Sequence, residues 1–215
     1  MLDLESLVAP GHTALVTVEV QDGVVGEYSL IPELARAADL ILPNIASLAR
    51  SARSIGIPVV HCTVDARADG LGANNNTRLF AGMRKLRSQG GGAQPGALHR
   101  ATVHAAVGVA DGDLVMGRLH GLSPMTSTSL DPVLRNLGVT TIVATGVSLN
   151  VAIMGFAFEA VNLGYQFVLP RDAVAGVDAA YVDALFERTF SLLATVTTSA
   201  ALEGAWMAHK QEDSQ

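Results

Sequence analysis

Short β-branched apolar runs alternate with amphipathic helical stretches along this chain, and that alternation constrains the fold most strongly. Ala14–Val20 (ALVTVEV) is such a run. Its length and make-up suit a strand buried on both faces, as in parallel sheets. Leu34, Ala38, Ile41, Leu42, Ile45 and Leu48 then recur at helical spacing, with Pro32 near the start and Gly56 where a C-terminal cap belongs. Ile57–Thr63 is the next strand, and Pro58 falls at its first residues, where a missing donor is tolerated. Leu114–Arg118, Thr141–Thr145, Gln166–Leu169 and Thr195–Thr198 are further strands. Helical stretches separate them: one ends at Leu134 and Leu137 and closes on Gly138, and one runs from near Ser148–Asn150 to Gly164. Val182, Leu185, Phe186, Thr189 and Leu193 form another stripe, and Ala200–His209 a terminal helix. The βαβα order reads as α/β, a mostly parallel six-stranded sheet with helices on both faces.

The 215 residues favour one domain, 1–215, long enough to bury a substantial core. Hydrophobic residues make up 49% and charged residues 16%, which excludes a disordered chain. The net charge of −6 comes with no basic cluster to follow a phosphate backbone, so no nucleic-acid partner is expected. The first ten residues carry two acids and no basic stretch, unlike a secretory signal. No apolar run approaches the roughly 18 residues of a membrane span. A cytoplasmic location without membrane contact is the expectation. The one cysteine, Cys62, allows no internal disulfide and no cysteine-based metal cluster.

Ligands of open parallel sheets bind outside the carboxyl ends of the strands. Glu19, Arg118 and the Ser148–Ala152 turn each follow an apolar run, so all three are expected at one crevice despite their separation in sequence. A carboxylate in an apolar strand is costly unless paired, which marks Glu19 as functional or ion-paired. Arg118 is its natural partner; it stays protonated, so it orients and stabilises charge without shuttling protons. A helix starting near Ser148 offers free N–H groups to an oxyanion or carboxylate. His61 and His120 flank strand ends; a lone histidine is more often structural than an acid–base. Buried free cysteines such as Cys62 are usually inert. Asp65, Arg67 and Asp69 belong to a polar loop that reads as solvated. The glycine-rich run Ser88–Gly96 lacks the Gly-Lys-Ser/Thr ending of a phosphate loop and reads as a connection over the crevice or at a subunit contact.

The segment Thr141–Ala175, with ALVTVEVQDGVVG at 14–26 and LVMGRLHGLSP at 114–124, resembles the isochorismatase-like, or cysteine hydrolase, superfamily. The resemblance extends over most of the chain. It implies a Rossmann-like sheet and a homo-oligomer. It places Glu19 at the family's catalytic Asp, with Gln21 two residues on, Arg118 at the catalytic lysine, and Ala152 at the nucleophilic cysteine of the amidase members. It also implies a cis peptide at Val147–Ser148, turning Val147, Ser148 and Val151 toward the substrate beside Gln21 and His120. The Asp-x-His set of metal-dependent members is missing around Asp65 and Asp69, so no metal or other cofactor is expected. An alanine methyl cannot attack a carbonyl.

Three functional readings stand at this stage. The first is a hydrolase of a small polar or anionic metabolite, acting through Glu19 as acid or base with Arg118 holding an anionic group and no covalent intermediate. Family members that lack the cysteine and protonate a vinyl ether give the precedent. The second is an inactive small-molecule-binding protein, and the third an assembly subunit. A retained Glu19/Arg118 charge pair favours the first two.

Overall fold

A computed structural model describes residues 3–67, 69–88 and 101–212. The glycine-rich run, including Gly90, lies outside these residues apart from Ser88. The strands are β1 (Thr13–Val18), β2 (Val59–Val64), β3 (Leu114–Arg118), β4 (Thr141–Val147), β5 (Gln166–Pro170), β6 (Val174–Ala175) and β7 (Thr195–Thr197). They form one parallel sheet in the order β3-β2-β1-β4-β5-β7. The six expected strands are this path; the two-residue β6, not expected from the sequence, pairs beside β4.

The helices are α1 (Leu4–Leu7), α2 (Asp22–Val25), α3 (Pro32–Asp39), α4 (Leu42–Ser54), α5 (Arg78–Leu86), α6 (Leu130–Asn136), α7 (Met154–Asn162), α8 (Ala179–Leu185), α9 (Ser191–Leu193) and α10 (Ser199–Glu212). They divide the core in two. On one face, Leu34, Ile45, Leu48 and Trp206 from α3, α4 and α10 pack on Leu15, Val59 and Val143. On the other, Leu130, Leu134, Phe156 and Phe190 pack on Val16, Val60 and Ile142. Alternate residues of each strand therefore serve opposite layers, and β1 and β4 are buried from end to end.

The single stripe expected from Leu34 to Leu48 is two helices. Pro43 stands in the first turn of α4. Its missing N–H and its ring are accepted there but would break a continuous helix, so the chain restarts after Leu40. The stretches 149–153 and 186–190 open or continue their helices as wide π-helical turns, ahead of α7 and after α8.

β1 is the pivot of the sheet. It has β2 on one side and β4 on the other, and the strand order reverses around it. Such a switch point opens a crevice at the carboxyl ends. Gly146 makes the close approach of β4 to β1 possible: with φ 107, a Cβ added there would lie 2.2 Å from the Val18 carbonyl oxygen. Only glycine meets both demands.

Candidate active site

The crevice is built from the last residues of β1, β3 and β4. Val18 pairs with Cys62 on β2 and with Gly146 on β4, so the residue after it emerges at the centre of the sheet edge. That residue, Glu19, adopts the left-handed conformation (φ 56), and its N–H donates to the Cys62 carbonyl at 2.8 Å. Arg118 ends β3 opposite Val64, and its carbonyl accepts the Asp65 N–H at 2.8 Å. Its guanidinium reaches across β2 and donates through Nη2 to Glu19 Oε1 in a tight ion pair, and from the same nitrogen to the Leu122 carbonyl at 3.3 Å. Arg118 is 5% exposed. The Glu19 side chain keeps 16% of its surface open, which makes it the member of the pair that solvent and small molecules reach. Burial pushes the Glu19 carboxyl up from its ordinary value, against the pull of Arg118.

Arg118 also lines a cavity of about 450 Å³ with Cys62, Met116, His120, Pro124 and Ser127. Hydrogen bonds hold the segment that supplies Pro124, Ser127 and Thr128 to this cavity. Ser123 donates to Glu159 of α7 at 2.5 Å, and Thr128 donates to the Pro124 carbonyl at 2.6 Å. His120 is half-buried on its wall. Cys62 is buried, and its thiol is pushed up to about 12 by burial, with Arg118 pulling it down and Glu19 pushing it up.

The other residues singled out by sequence lie at or beyond the carboxyl ends of β1, β2 and β4. The Val147–Ser148 peptide is cis, as the resemblance implied. Val147 is buried, Ser148 and Val151 are half-buried, and the Ser148 carbonyl accepts from the N–H groups of Val151 and Ile153. Ala152 sits in the turn before α7, 2% exposed, in the same apolar layer as Val18, Cys62 and Met125. Gln21 is buried and grips β2: its amide donates to the Val64 carbonyl at 2.6 Å and accepts the Val64 N–H at 2.7 Å. Arg67 and Asp69 pair with each other on the surface.

His61 is fully buried on the opposite layer, away from the crevice. Its Nδ1 meets the Thr17 hydroxyl at 2.8 Å and its Nε2 meets Asp113 at 3.2 Å, while Arg53 donates to the same carboxylate at 2.6 and 3.1 Å. This network ties β1, β2, α4 and the start of β3 together. Sequence reasoning missed it, because Asp113 has no local signal; only the fold brings it to His61. It also missed Ser123 and Glu159, whose partnership spans 36 residues. Among the described residues, no three His, Cys, Asp or Glu side chains converge as a metal site requires.

The isochorismatase domain, as a family, matches residues 13–201. The chain belongs to the isochorismatase family. The match takes in Glu19, Arg118 and the Ser148–Ala152 turn, and it runs from β1 into α10. Within the family, the chain is 28% identical over 189 residues to the ureidoacrylate amidohydrolase RutB of Pseudomonas savastanoi pv. phaseolicola, spanning 82% of this chain and 77% of that protein. Among solved structures it is similar to an isochorismatase family protein from Burkholderia thailandensis, with a TM-score of 0.74 and 26% identity over 92% of this chain and 96% of that one. A cysteine hydrolase from Pseudomonas syringae pv. phaseolicola 1448A shares the fold at a TM-score of 0.79, with 24% identity over 94% and 96% of the two chains. Among the described residues no helix of this isochorismatase-family chain is long and apolar enough to cross a membrane.

Proposed function

We propose that this isochorismatase-family chain hydrolyses a small polar or anionic metabolite by acid–base chemistry, with Glu19 moving the proton and no covalent cysteine intermediate. The observation that carries the reading is the ion pair of Glu19 and Arg118 at the carboxyl ends of β1 and β3. Two buried charges kept at a switch-point crevice are costly for a purely structural site. Burial raises the Glu19 carboxyl, which moves it toward the range in which a carboxyl group can serve as a general acid near neutral pH. Arg118 stays charged and holds developing or resident negative charge. Ala152, which the family resemblance sets at the nucleophile position of amidase members, offers only a methyl group. Cys62, with its thiol held neutral by burial, does not take over that role.

The test starts from a thermal-shift screen of small amides, carbamates and enol-ether acids, since a ligand of the folded state raises its apparent stability. Turnover of the hits is then compared across variants. Glu19→Gln is expected to lower kcat about 100- to 10,000-fold, while Cys62→Ser leaves it near the parent value. Loss of turnover in Cys62→Ser with full activity in Glu19→Gln would move the chemistry to the thiol and overturn the reading.

A further inference from the structure

The segment Leu122–Thr128 forms one wall of the cavity that Cys62 and Arg118 line, through Pro124, Ser127 and Thr128. Among the described residues, no hydrogen bond from backbone to backbone involves this segment. Side chains hold it instead. Thr128 closes it on itself through the Pro124 carbonyl, and Arg118 Nη2 donates to the Leu122 carbonyl. The remaining fastening comes from α7. Glu159 Oε2 accepts the Ser123 hydroxyl at 2.5 Å and the Thr126 N–H at 3.1 Å, and Ser123 Oγ in turn accepts the Met125 N–H at 3.1 Å. One carboxyl oxygen thus fixes Ser123, Met125 and Thr126 together. Gly155 lies one helical turn before Glu159, on the same face of α7. A Cβ added there would lie 3.5 Å from the Ser123 Cβ. Helix and wall therefore touch at one turn and are bonded at the next.

We propose that Glu159 is a positioning residue that sets the width of this cavity: by holding Ser123 and Thr126 against α7 it keeps the Pro124–Thr128 wall closed on Cys62 and Arg118, and so limits the site to slender ligands. The inference rests on the acid–base reading above only in taking this cavity as the substrate's place. Cys62 lines the cavity yet is buried, as a narrow opening requires. Glu159 acts through the wall, since its hydrogen bonds go to Ser123 and Thr126. The wall also reaches the charge pair. The Leu122 carbonyl, next to Ser123, accepts from the Arg118 nitrogen that holds Glu19. A wall released from α7 takes that contact of Arg118 with it. What the wall needs from Glu159 is reach rather than charge. An amide oxygen at the same length can accept both donors, so Glu159→Gln keeps the fastening. Glu159→Asp is one methylene shorter and falls short of both.

Cys62 reports on the wall from inside the cavity. The folded protein is labelled with the small methyl methanethiosulfonate and with the larger, aromatic dithiodipyridine, at urea concentrations well below the unfolding midpoint. Glu159→Ala and Glu159→Asp are expected to speed labelling about tenfold or more, and by more for dithiodipyridine than for the small reagent. The rate should stay level as urea is added, because a local opening exposes little new surface. Glu159→Gln should stay within about threefold of the parent. Ser123→Ala, which leaves the Thr126 N–H on Glu159, should give a smaller gain in the same direction. The double variant should label within about threefold of Glu159→Ala, since two changes that break one contact do not add. Where Glu159→Ala does not fold, Glu159→Asp and Ser123→Ala carry the same readings. Unchanged labelling in these variants overturns the proposal. So do equal gains for the two reagents, a Glu159→Gln gain as large as that of Glu159→Asp, or a rate that climbs with urea in step with lost global stability, which marks a merely structural residue. None of these readouts needs turnover. Failure here leaves the acid–base reading to the Glu19→Gln test, and failure of that test leaves the wall standing.

Discussion

Glu19 and Cys62 are neighbours at the ends of adjacent strands, yet their environments set them apart. The Glu19 N–H is bonded to the Cys62 carbonyl, and both side chains feel Arg118. Glu19 keeps an opening to solvent, whereas Cys62 is 2% exposed and its thiol is pushed up to about 12. A thiolate is the reactive species. At pH 8 an ordinary thiol with a value near 8.5 is about one-quarter ionised, whereas this one is ionised to only about one part in ten thousand. Labelling by a disulfide reagent is therefore expected to be about a thousandfold slower in the folded protein than in urea. Fast native labelling would show that the crevice opens further than its geometry implies. The sequence made Glu19 and Arg118 legible for a simple reason: each interrupts or closes an apolar run, where an unpaired charge has no place. That Nε and Nη1 of Arg118 are buried without partners was not legible, because it depends on which of five donors find acceptors.

At the scale of elements, strand and helix order was readable because buried parallel strands are short apolar runs bounded by polar loops. The split between α3 and α4 was not read from the stripe of apolar residues, although Pro43 marks it, since hydrophobic spacing passes through a break that keeps phase. The wide turns before α7 and after α8 have no composition signal at all. Asp113 was equally silent: its partners Arg53 and His61 come from α4 and β2. Gly146 is where an element-level prediction is sharpest. It sits in β4 at φ 107, and any side chain there meets the β1 backbone at Val18 and the Val20 side chain. Gly146→Ala is expected to force β4 away from β1 and cost about 2 kcal/mol or more, from strained backbone and overpacking together. Chemical denaturation checks this, and a midpoint within error of the parent would contradict the close approach of the two strands.

For the whole molecule, buried side chains fill the two apolar layers, and part of the remaining apolar surface lies at the sheet edges. Val115 on β3 is 51% exposed, and Leu119 and Leu122 lie beyond it; at the far edge Leu192 is 83% exposed near β7. Exposed edge strands with apolar side chains invite pairing or cover. Light scattering is expected to give a dimer or larger, and a mass near the 22.3 kDa of one chain would contradict it. The same edge depends on a buried charge network for its anchorage, which gives the molecule a pH signature. Burial pushes His61 down; Asp113 raises it and Arg53 lowers it again, and the net value is below the ordinary one. Burial alone would raise Asp113, but donation from Arg53, the Ala110 N–H and His61 holds it below the ordinary carboxylate value. Both groups therefore release protons more readily folded than unfolded. Their contribution to stability is full above the unfolded values, about 6.5 for histidine and 3.9 for aspartate, and is lost as pH falls through the folded ones. Glu19, pushed up by burial, has the opposite sign: its contribution is lost as pH rises. Urea midpoints measured from pH 8 to pH 4.5 should therefore drop below about pH 6.5, and His61→Gln should flatten that first part of the fall. Asp113→Asn should lower the midpoint at neutral pH, because Arg53 and His61 lose their shared acceptor. A parent profile that is level from pH 8 to pH 5, or a His61→Gln profile as steep as the parent's, would show that the buried histidine does not anchor the β3 edge in this way.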